Sequence, residues 1–240
     1  SARSYLFRRA WIQEMRPVVV GSVLTLAELG GKYLEYHLET TPENITMKFL
    51  QVGRTHLKYT SPVPFGLTLI STARRLTDRV LLCDQYFNSL KGKISGIVGT
   101  GAGIEMVIGK GRAAEFEKRV LEKLGLEPDY TATQIVQKEN LSDVGHGLTS
   151  LLYVLIDFSE DIRKLYGSDI GEVFSRDNSE RLGGSSTDAL KDNPIQWENI
   201  SGTGVIVESG MRILYSMIKT DFQRDLRGSK GASYQPQQMM

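Results

Sequence analysis

One histidine of the chain lies in a segment that suits acid–base chemistry. His56 belongs to the run GRTHLKYTSPVPFG, residues 53–66, which shows no helical periodicity. Pro62 and Pro64 restrict the backbone of this run, because the pyrrolidine ring fixes φ. Imidazole is the side chain whose ordinary pKa lies closest to neutral pH. A rigid loop that holds it is a candidate position for a general acid or base.

A second loop has the composition of an anion-binding site. Residues 183–194 read GGSSTDALKDNP and precede a predicted long helix. Ser185 and Ser186 supply hydroxyl and N–H groups, while Lys191 and Asn193 stand directly before the start of the helix. Oriented amides, an ammonium group and the positive end of a helix all favour negative charge. The alternative is a solvated Gly/Ser linker, and these residues alone leave both interpretations open.

The remaining motifs indicate neither a nucleotide loop nor a metal site. The run GTGAG at residues 99–103 lacks the P-loop lysine and the G-x-G-x-x-G pattern, so its glycines are more typical of tight turns. His37 and His146 have no partners at metal-ligand spacing, and we interpret both as structural or surface residues. The single cysteine, Cys83, excludes a disulfide framework and every multi-cysteine metal site.

Charge and hydropathy exclude further classes of protein. The chain has 240 residues, with 29 Lys and Arg against 28 Asp and Glu, and a formal net charge of +1. This balance lacks the basic excess of a nucleic-acid-binding protein. No apolar run reaches the length of about 18 residues that a membrane span needs, and residues 1–15 lack the apolar core of a signal peptide. We therefore expect a cytoplasmic protein without nucleic-acid or membrane partners.

The candidate loops are separated by segments with strong helical periodicity. One such segment predicts a long helix over residues 66–90, with a single buried face. Its small or apolar residues recur at steps of three and four, at positions 69, 73, 76, 80, 83, 87 and 90. By the same criteria, further helices are predicted over residues 17–38, 113–124, 143–166 and 194–220.

Helices of this length bury their apolar stripes by lying side by side, so the predicted fold is an all-α long-helix bundle. The segment 17–38 is apolar on most sides, which indicates burial within the bundle or within an oligomer. Residues 1–226 are expected to form one helical-bundle domain, and residues 227–240 a flexible tail. Segments without helical period are predicted to be irregular active-site loops, at residues 45–65, 91–112 and 174–193.

Taken in order along the chain, several of these segments resemble one known family. The run that contains His56 is similar to the GRTH region of the fumarase/aspartase superfamily, and GSSTDALKDNP is similar to its signature loop, G-S-S-x-M-P-x-K-x-N-P. Three further stretches resemble, in order and spacing, the adenylosuccinate lyases of that superfamily: GKISGIVGT at 92–100, TQIVQKE at 133–139 and QRDLRGS at 223–229. The resemblance implies an all-helical homotetramer with a central bundle, in which three subunits build each active site.

The resemblance also implies roles for individual positions. Ser185 matches the base that removes a proton from the carbon beside a carboxylate, and His56 matches the general acid that protonates the departing nitrogen. The implied reaction is an anti β-elimination that releases fumarate from a small-molecule dicarboxylate or nucleotide substrate, with no metal or redox cofactor. Substrate contacts are implied for Thr55, Gln134, Ser186, Lys191, Asn193, Arg224 and Ser229.

Several positions depart from the family pattern. Asp188 and Ala189 stand where the family usually has Met-Pro, and Ser233 stands where adenylosuccinate lyases often carry an arginine for the phosphate. Family chains are also longer, with an N-terminal region that bears another active-site histidine and a C-terminal helical domain. Ser233 favours a sister enzyme, such as an argininosuccinate lyase or a cycloisomerase. Asp188, Ala189 and the shorter chain favour a catalytically inactive structural scaffold, like the eye-lens crystallins of the superfamily.

Overall fold

The polypeptide is mostly helical, as the spacing of its apolar residues predicts. The computed structural model describes residues 2–38, 50–174 and 191–218. Within these ranges four helices exceed twenty residues, which confirms the all-α prediction, and two pairs of short strands are added to them. The elements in chain order are α1 (Ala2–Ala10), a π-helical turn (Trp11–Met15), α2 (Arg16–Leu38), β1 (Leu50–Thr55), β2 (Lys58–Pro64), α3 (Phe65–Asn88), β3 (Lys91–Gly92), α4 (Ala102–Ile108), α5 (Ala113–Lys123), β4 (Glu127–Pro128), α6 (Glu139–Tyr166) and α7 (Ile195–Ser216).

Helix α3 buries the whole stripe that the spacing predicts. Every stripe position is buried, from Leu69 near the start of the helix to Leu90 just beyond its end. Burial of one large apolar side chain contributes roughly 1.5–3 kcal/mol. The opposite side carries exposed charges, such as the ion pair of Arg74 with Asp78. The amphipathic pattern therefore accounts for both the length of α3 and the identity of the face that it buries.

Helix α6 begins earlier than predicted and buries a polar residue. It starts at Glu139 rather than at residue 143. Ser159 is fully buried on the same helix as the apolar Val154. Its hydroxyl donates a 2.5 Å hydrogen bond to the carbonyl oxygen of Trp197 in α7. A hydroxyl is tolerated in a core when such a bond replaces its bond to water.

The described residues divide into two compact units, each with its own core. The first comprises the described part of residues 1–18, 79–150 and 205–240, and the second that of residues 19–78 and 151–204. Each of the four long helices contributes residues to both units. The buried side chains of the first unit include Trp11, Cys83, Phe87, Leu121, Val144, Met211 and Leu214, and those of the second include Leu69, Leu76, Leu151, Val154 and Ile162.

Small residues allow helices of the second unit to pack closely. A Cβ atom on Gly30 of α2 would lie 2.6 Å from the Ile70 side chain and 2.9 Å from the carbonyl oxygen of Gly66, both in α3. A Cβ atom on Gly204 of α7 would lie 2.2 Å from the Ile156 side chain of α6. Close helix contacts are thus present for the pairs α2–α3, at Gly30, and α6–α7, at Gly204.

Two of the segments without helical period contain some regular structure. Strands β1 and β2, within residues 45–65, form an antiparallel hairpin. Residues 91–112 contain β3, which pairs in parallel with β4, and the helix α4. Because α4 has only seven residues, about two turns, it shows no clear apolar period. The third segment, 174–193, lies largely outside the described residues.

Two expectations about the whole chain are left as predictions. The flexible tail, residues 227–240, lies outside the described residues, and the single domain over residues 1–226 is not tested.

In the ranges 2–38, 50–174 and 191–218, none of the helices combines the length and the apolar character that crossing a membrane requires.

Candidate active site

His56 lies at the tip of the β1–β2 hairpin. Thr55 and Lys58 are the last paired residues of the two strands, so His56 and Leu57 form a two-residue turn. Both turn residues have positive φ, 52° for His56 and 60° for Leu57. A type I′ turn requires positive φ at these two positions. The His56 side chain is exposed, so the turn presents an imidazole that a substrate can reach.

The conformation of this turn is costly for the residues that adopt it. Type I′ turns usually contain Asn-Gly or a similar pair, because Cβ approaches the backbone when φ is positive. A non-glycine residue in the left-handed region costs about 1–2 kcal/mol. Here two adjacent non-glycine residues, His56 and Leu57, occupy it. Backbone strain of this kind is concentrated at functional sites, which strengthens the case for His56.

Arg54 ties the hairpin to the segment that follows α6. Its guanidinium forms a bidentate ion pair with Glu172, with distances of 2.6 Å from Nη2 to Oε1 and 3.0 Å from Nη1 to Oε2. Nη1 also donates a 3.0 Å hydrogen bond to the carbonyl oxygen of Val52. The guanidinium lies 5.6 Å from the centre of the Tyr59 ring on β2. The hydrogen bonds to Glu172 raise the pKa of Arg54 above its ordinary value.

A cavity of about 380 Å³ lies between the hairpin and the last turns of α6. Partial burial and the nearby Asp157 carboxylate raise the pKa of Asp161, while Lys164 lowers it. Because both signs of charge face this space, it shows no general preference for an anion or a cation. The polar and charged side chains in its lining are Gln51, Arg54, His56, Thr68, Asp161 and Lys164.

Lys191 and Asn193 lie directly before α7, as the sequence predicts. Lys191 is exposed. The carbonyl oxygen of Asn193 accepts a 2.8 Å hydrogen bond from the N–H of Ile195, the first residue of the helix. The Tyr166 hydroxyl at the end of α6 bonds the carboxylate of Asp192. These contacts hold the approach to α7 against α6, within the second unit.

Gln134 lies in a loop between β4 and α6 that a buried carboxylate organises. Asp129, 5% exposed, accepts hydrogen bonds from the N–H and the hydroxyl of Thr131, at 3.2 Å and 2.8 Å, and from the N–H of Gln137, at 3.4 Å. Gly99 packs against the same loop, since a Cβ atom there would lie 2.2 Å from a carbonyl oxygen of the loop. Gln134 is therefore presented, half-exposed, by a constrained backbone.

The glycine-rich segment 92–103 is held by a second buried carboxylate. Glu117 of α5, 3% exposed, accepts hydrogen bonds from the N–H groups of Ile94 at 2.5 Å and Ser95 at 3.0 Å. Three glycines of the segment, Gly96, Gly99 and Gly101, have the positive φ that tight turns require. This geometry agrees with the interpretation of the segment as a series of tight turns.

The predicted site residues that the structure describes occupy separate loops. Thr55 and His56 lie on the hairpin, Lys191 and Asn193 before α7, and Gln134 after β4. Among the described residues, no hydrogen bond or ion pair joins His56 to Lys191, and no group of three or more His, Cys, Asp or Glu is arranged to hold a metal. The predicted positions outside the described residues are Ser185, Ser186, Arg224 and Ser229.

Comparison with known proteins gives the family of the chain. A family model described as lyase matches residues 43–208, a span that contains both the His56 hairpin and the Gly/Ser loop. The chain belongs to this lyase family. The family is part of the fumarase/aspartase superfamily, and membership implies a small-molecule substrate.

Several members of the lyase family are similar to this chain over most of its length. The adenylosuccinate lyase of Synechocystis sp. is 31% identical over 186 residues, which cover 75% of this chain and 40% of the relative. The adenylosuccinate lyase of Pyrococcus abyssi is 32% identical over 177 residues, which cover 70% of this chain and 34% of the relative. The adenylosuccinate lyase of Bacillus subtilis is 30% identical over 184 residues, which cover 75% of this chain and 40% of the relative. The chain thus spans about 40% or less of the length of these relatives.

Three carboxylates that position the loops of this lyase-family chain are missing from the sequence prediction. Asp129 stands two residues before Thr131, a spacing typical of side chains that bond nearby N–H groups, so a local signal exists. Glu117 interrupts the buried stripe of α5 between Ala113 and Leu121, which is also visible in the sequence. Glu172 has no such signal, since its partner lies 118 residues away.

Proposed function

We propose that the protein is a lyase of the adenylosuccinate lyase type, which breaks a C–N bond by anti β-elimination and releases fumarate. The observation that carries the proposal is the lyase-family match over residues 43–208, because this span includes both His56 and Ser185. Relatives with the name adenylosuccinate lyase, at 30–32% identity, support the choice of adenylosuccinate as substrate.

In the proposed reaction, Ser185 is the base and His56 is the general acid. The base takes the proton from the carbon beside a carboxylate, and the electron pair of that bond forms the new double bond. The C–N bond breaks as His56 donates a proton to the leaving nitrogen. The exposed imidazole on a constrained turn supports this role. The serine anion needs stabilisation, which Lys191 and neighbouring N–H groups are proposed to supply.

Other residues are proposed to bind the anionic groups of the substrate. Lys191 and Asn193 precede the N-terminus of the long helix α7, where the helix dipole adds to the attraction for an anion. Thr55 is adjacent to His56 at the end of β1, and Gln134 is held in a constrained loop. Ser186, Arg224 and Ser229 are assigned by the family resemblance.

We further propose a homotetramer with shared active sites, built from one helical domain over residues 1–226 and a flexible tail over residues 227–240. Apolar residues of α2 support the assembly: Val18 and Leu24 are 68% and 64% exposed in the single chain. Exposed apolar side chains grouped on one helix are typical of contact surfaces.

Two other functions have specific observations in their favour. Ser233, in place of the frequent arginine for a phosphate, favours a substrate without phosphate, as in an argininosuccinate lyase or a cycloisomerase. Asp188 and Ala189, in place of Met-Pro, favour an inactive scaffold, because Asp188 adds a negative charge to a loop that binds an anion.

A spectrophotometric assay of fumarate formation tests the proposal. The protein is incubated with adenylosuccinate or argininosuccinate. It is assayed both alone and joined to the flanking segments of a longer relative, since it spans only part of such relatives. The flanking segments by themselves are the control. We expect fumarate from adenylosuccinate; fumarate from argininosuccinate alone supports the sister enzyme, and no fumarate from either substrate supports the scaffold.

A further inference from the structure

The hairpin that carries His56 has few contacts of its own to hold it. The residues of β2 from Lys58 to Pro62 are all exposed, and an isolated two-stranded hairpin is at best marginally stable in water. The turn adds strain, because His56 and Leu57 both have positive φ. A contact from outside the hairpin is therefore needed to keep the imidazole in one orientation.

Arg54 supplies this contact from a position two residues before His56. A bulge in β2 lies opposite the residue before Arg54: two steps on β1, from Val52 to Arg54, correspond to three steps on β2, from Pro62 to Tyr59. A bulge bends the strand that contains it and increases the local twist of the pair. The Arg54 and Glu172 side chains are only 17% and 27% exposed, so their ion pair is partly shielded from solvent. Bidentate pairs of this kind fix geometry as well as adding attraction.

Glu172 is itself fixed to the end of α6. Its N–H donates a 3.0 Å hydrogen bond to the carbonyl oxygen of Leu165, and the N–H of Val173 donates to the same oxygen at 3.3 Å. Gly171, with φ of 62°, donates a 2.8 Å hydrogen bond to the carbonyl oxygen of Gly167. The chain after α6 is thus folded back on the last turn of the helix, and the Glu172 side chain starts from an anchored backbone.

We propose that Glu172 is a positioning residue that holds the His56 turn through Arg54. The link runs from the end of α6, through the bidentate ion pair, to the strand that leads into the turn. The importance of this link for turnover rests on the proposed role of His56 as general acid. The link itself is a property of the hairpin and is testable without any substrate.

The structural test compares Glu172→Gln with a matched control. Glu172→Gln keeps the size of the side chain and removes its charge. Asp78→Asn is the control, because Asp78 lies on α3 in the same unit and forms a 3.2 Å ion pair with Arg74, away from the hairpin. Native-state amide exchange of residues 50–64 and the ring signals of labelled histidine report on the turn. Substitution of His56 assigns its signal among the three histidines of the chain.

We expect Glu172→Gln to speed exchange in the hairpin by about tenfold, because a charge-assisted hydrogen-bond pair is lost, and to shift the His56 ring signal. Asp78→Asn should change neither. The charge swap, Arg54→Glu with Glu172→Arg, restores the pair and should return exchange towards the wild-type rate. Unchanged exchange and an unchanged His56 signal in Glu172→Gln overturn the inference.

The kinetic test uses the fumarate assay. Misplacement of a catalytic group reduces turnover more than binding, so Glu172→Gln should lower kcat by about 10- to 100-fold while KM stays close to the wild-type value. The charge swap should recover kcat. If Glu172→Gln speeds exchange in the hairpin but keeps the wild-type kcat, the positioning role is overturned. If the wild-type protein forms no fumarate, the proposed function fails, and the exchange and histidine signals still decide whether Glu172 holds the turn.

Discussion

At the scale of single residues, carboxylates hold the loops that carry the candidate site. Asp129 fixes the loop of Gln134, and Glu117 fixes the glycine-rich segment beside it. Both are buried and accept hydrogen bonds from backbone N–H groups. Hydrogen bonds to a charged group contribute about 1.5–3 kcal/mol each, and loss of one of these carboxylates removes at least two such bonds at once. These residues therefore stabilise the conformation of the two loops.

Cys83 gives a direct report on the packing of the first unit. It is fully buried, and burial together with the neighbouring Asp84 raises the pKa of its thiol to about 12. Since the thiolate is the reactive form, the native protein should not be labelled by a thiol reagent at pH 8. Cys83 is the single cysteine of the chain, so labelling on unfolding has one source. Rapid stoichiometric labelling of the native protein contradicts this prediction.

The same thiol makes stability depend on pH. In the unfolded chain a cysteine ionises near pH 8.5, whereas in the folded chain Cys83 ionises near 12. Its contribution to stability is complete below about pH 8.5. Above that pH, the unfolded state releases a proton that the folded state keeps. The free energy of unfolding should therefore fall by up to about 1.4 kcal/mol per pH unit between these values.

Urea unfolding of the wild type and of Cys83→Ala at pH 8, 9 and 10 measures this dependence. Comparison of slopes, rather than of absolute values, separates the titration of the thiol from the cavity that the substitution creates. The wild type should have the steeper decline with pH. Equal slopes for the two proteins would show that the thiol does not titrate as its burial requires.

At the scale of elements, apolar spacing predicts the four long helices and α5 well, but it misses the short helices α1 and α4 and predicts the hairpin poorly. In α3 the buried positions follow the predicted stripe from Leu69 to Leu90, because a long helix against one core repeats the same pattern. The hairpin is predicted only as non-helical. Pro62 and Pro64 weaken a strand assignment, and the turn lacks the usual Asn-Gly signal.

In the candidate site, too, the sequence alone indicates one part and not another. His56 can be proposed from its residue type and its loop, since imidazole chemistry is a property of the residue itself. Its support is not identifiable, because the Arg54–Glu172 ion pair depends on a tertiary contact across 118 residues. Residue types thus indicate which groups react, while the folded chain determines which groups hold them.

Two adjacent glycines of α2 test the packing of that helix on α3. A Cβ atom on Gly30 would approach Ile70 and the backbone of Gly66, whereas nothing lies within 4 Å of the corresponding position at Gly31. Gly30→Ala should lower the free energy of unfolding by about 1–3 kcal/mol through overpacking. Gly31→Ala should raise it by up to about 1 kcal/mol, because alanine has the higher helix propensity.

Denaturant unfolding of both variants, with the wild type as reference, measures the difference. The two variants place the same substitution at neighbouring positions of one helix. They therefore differ mainly in whether the new Cβ atom contacts α3. Equal changes in the two variants would mean that α2 does not pack on α3 at Gly30.

At the scale of the whole molecule, the exposed apolar residues of α2 support the proposed homotetramer. Its Val18, Leu24 and Leu29 are exposed in the single chain, although the helix is apolar on most sides. Another subunit that covers such a surface would remove it from water. We therefore expect light scattering to give a mass four times that of one chain. A monomer at micromolar concentration is the contrary result.

The most direct test of the proposed acid and base is the rate of fumarate formation from adenylosuccinate by His56→Asn, Ser185→Ala and the double variant. Asn replaces His56 because it tolerates the positive φ of the turn, so the fold should be unchanged by circular dichroism and thermal unfolding. Removal of a general acid or base should lower kcat by about 100- to 10,000-fold in each single variant.

Because the two groups act in one transition state, the double variant should lose far less than the product of the single losses. Wild-type rates in His56→Asn and Ser185→Ala, measured in a preparation that forms fumarate, would contradict the assigned acid and base.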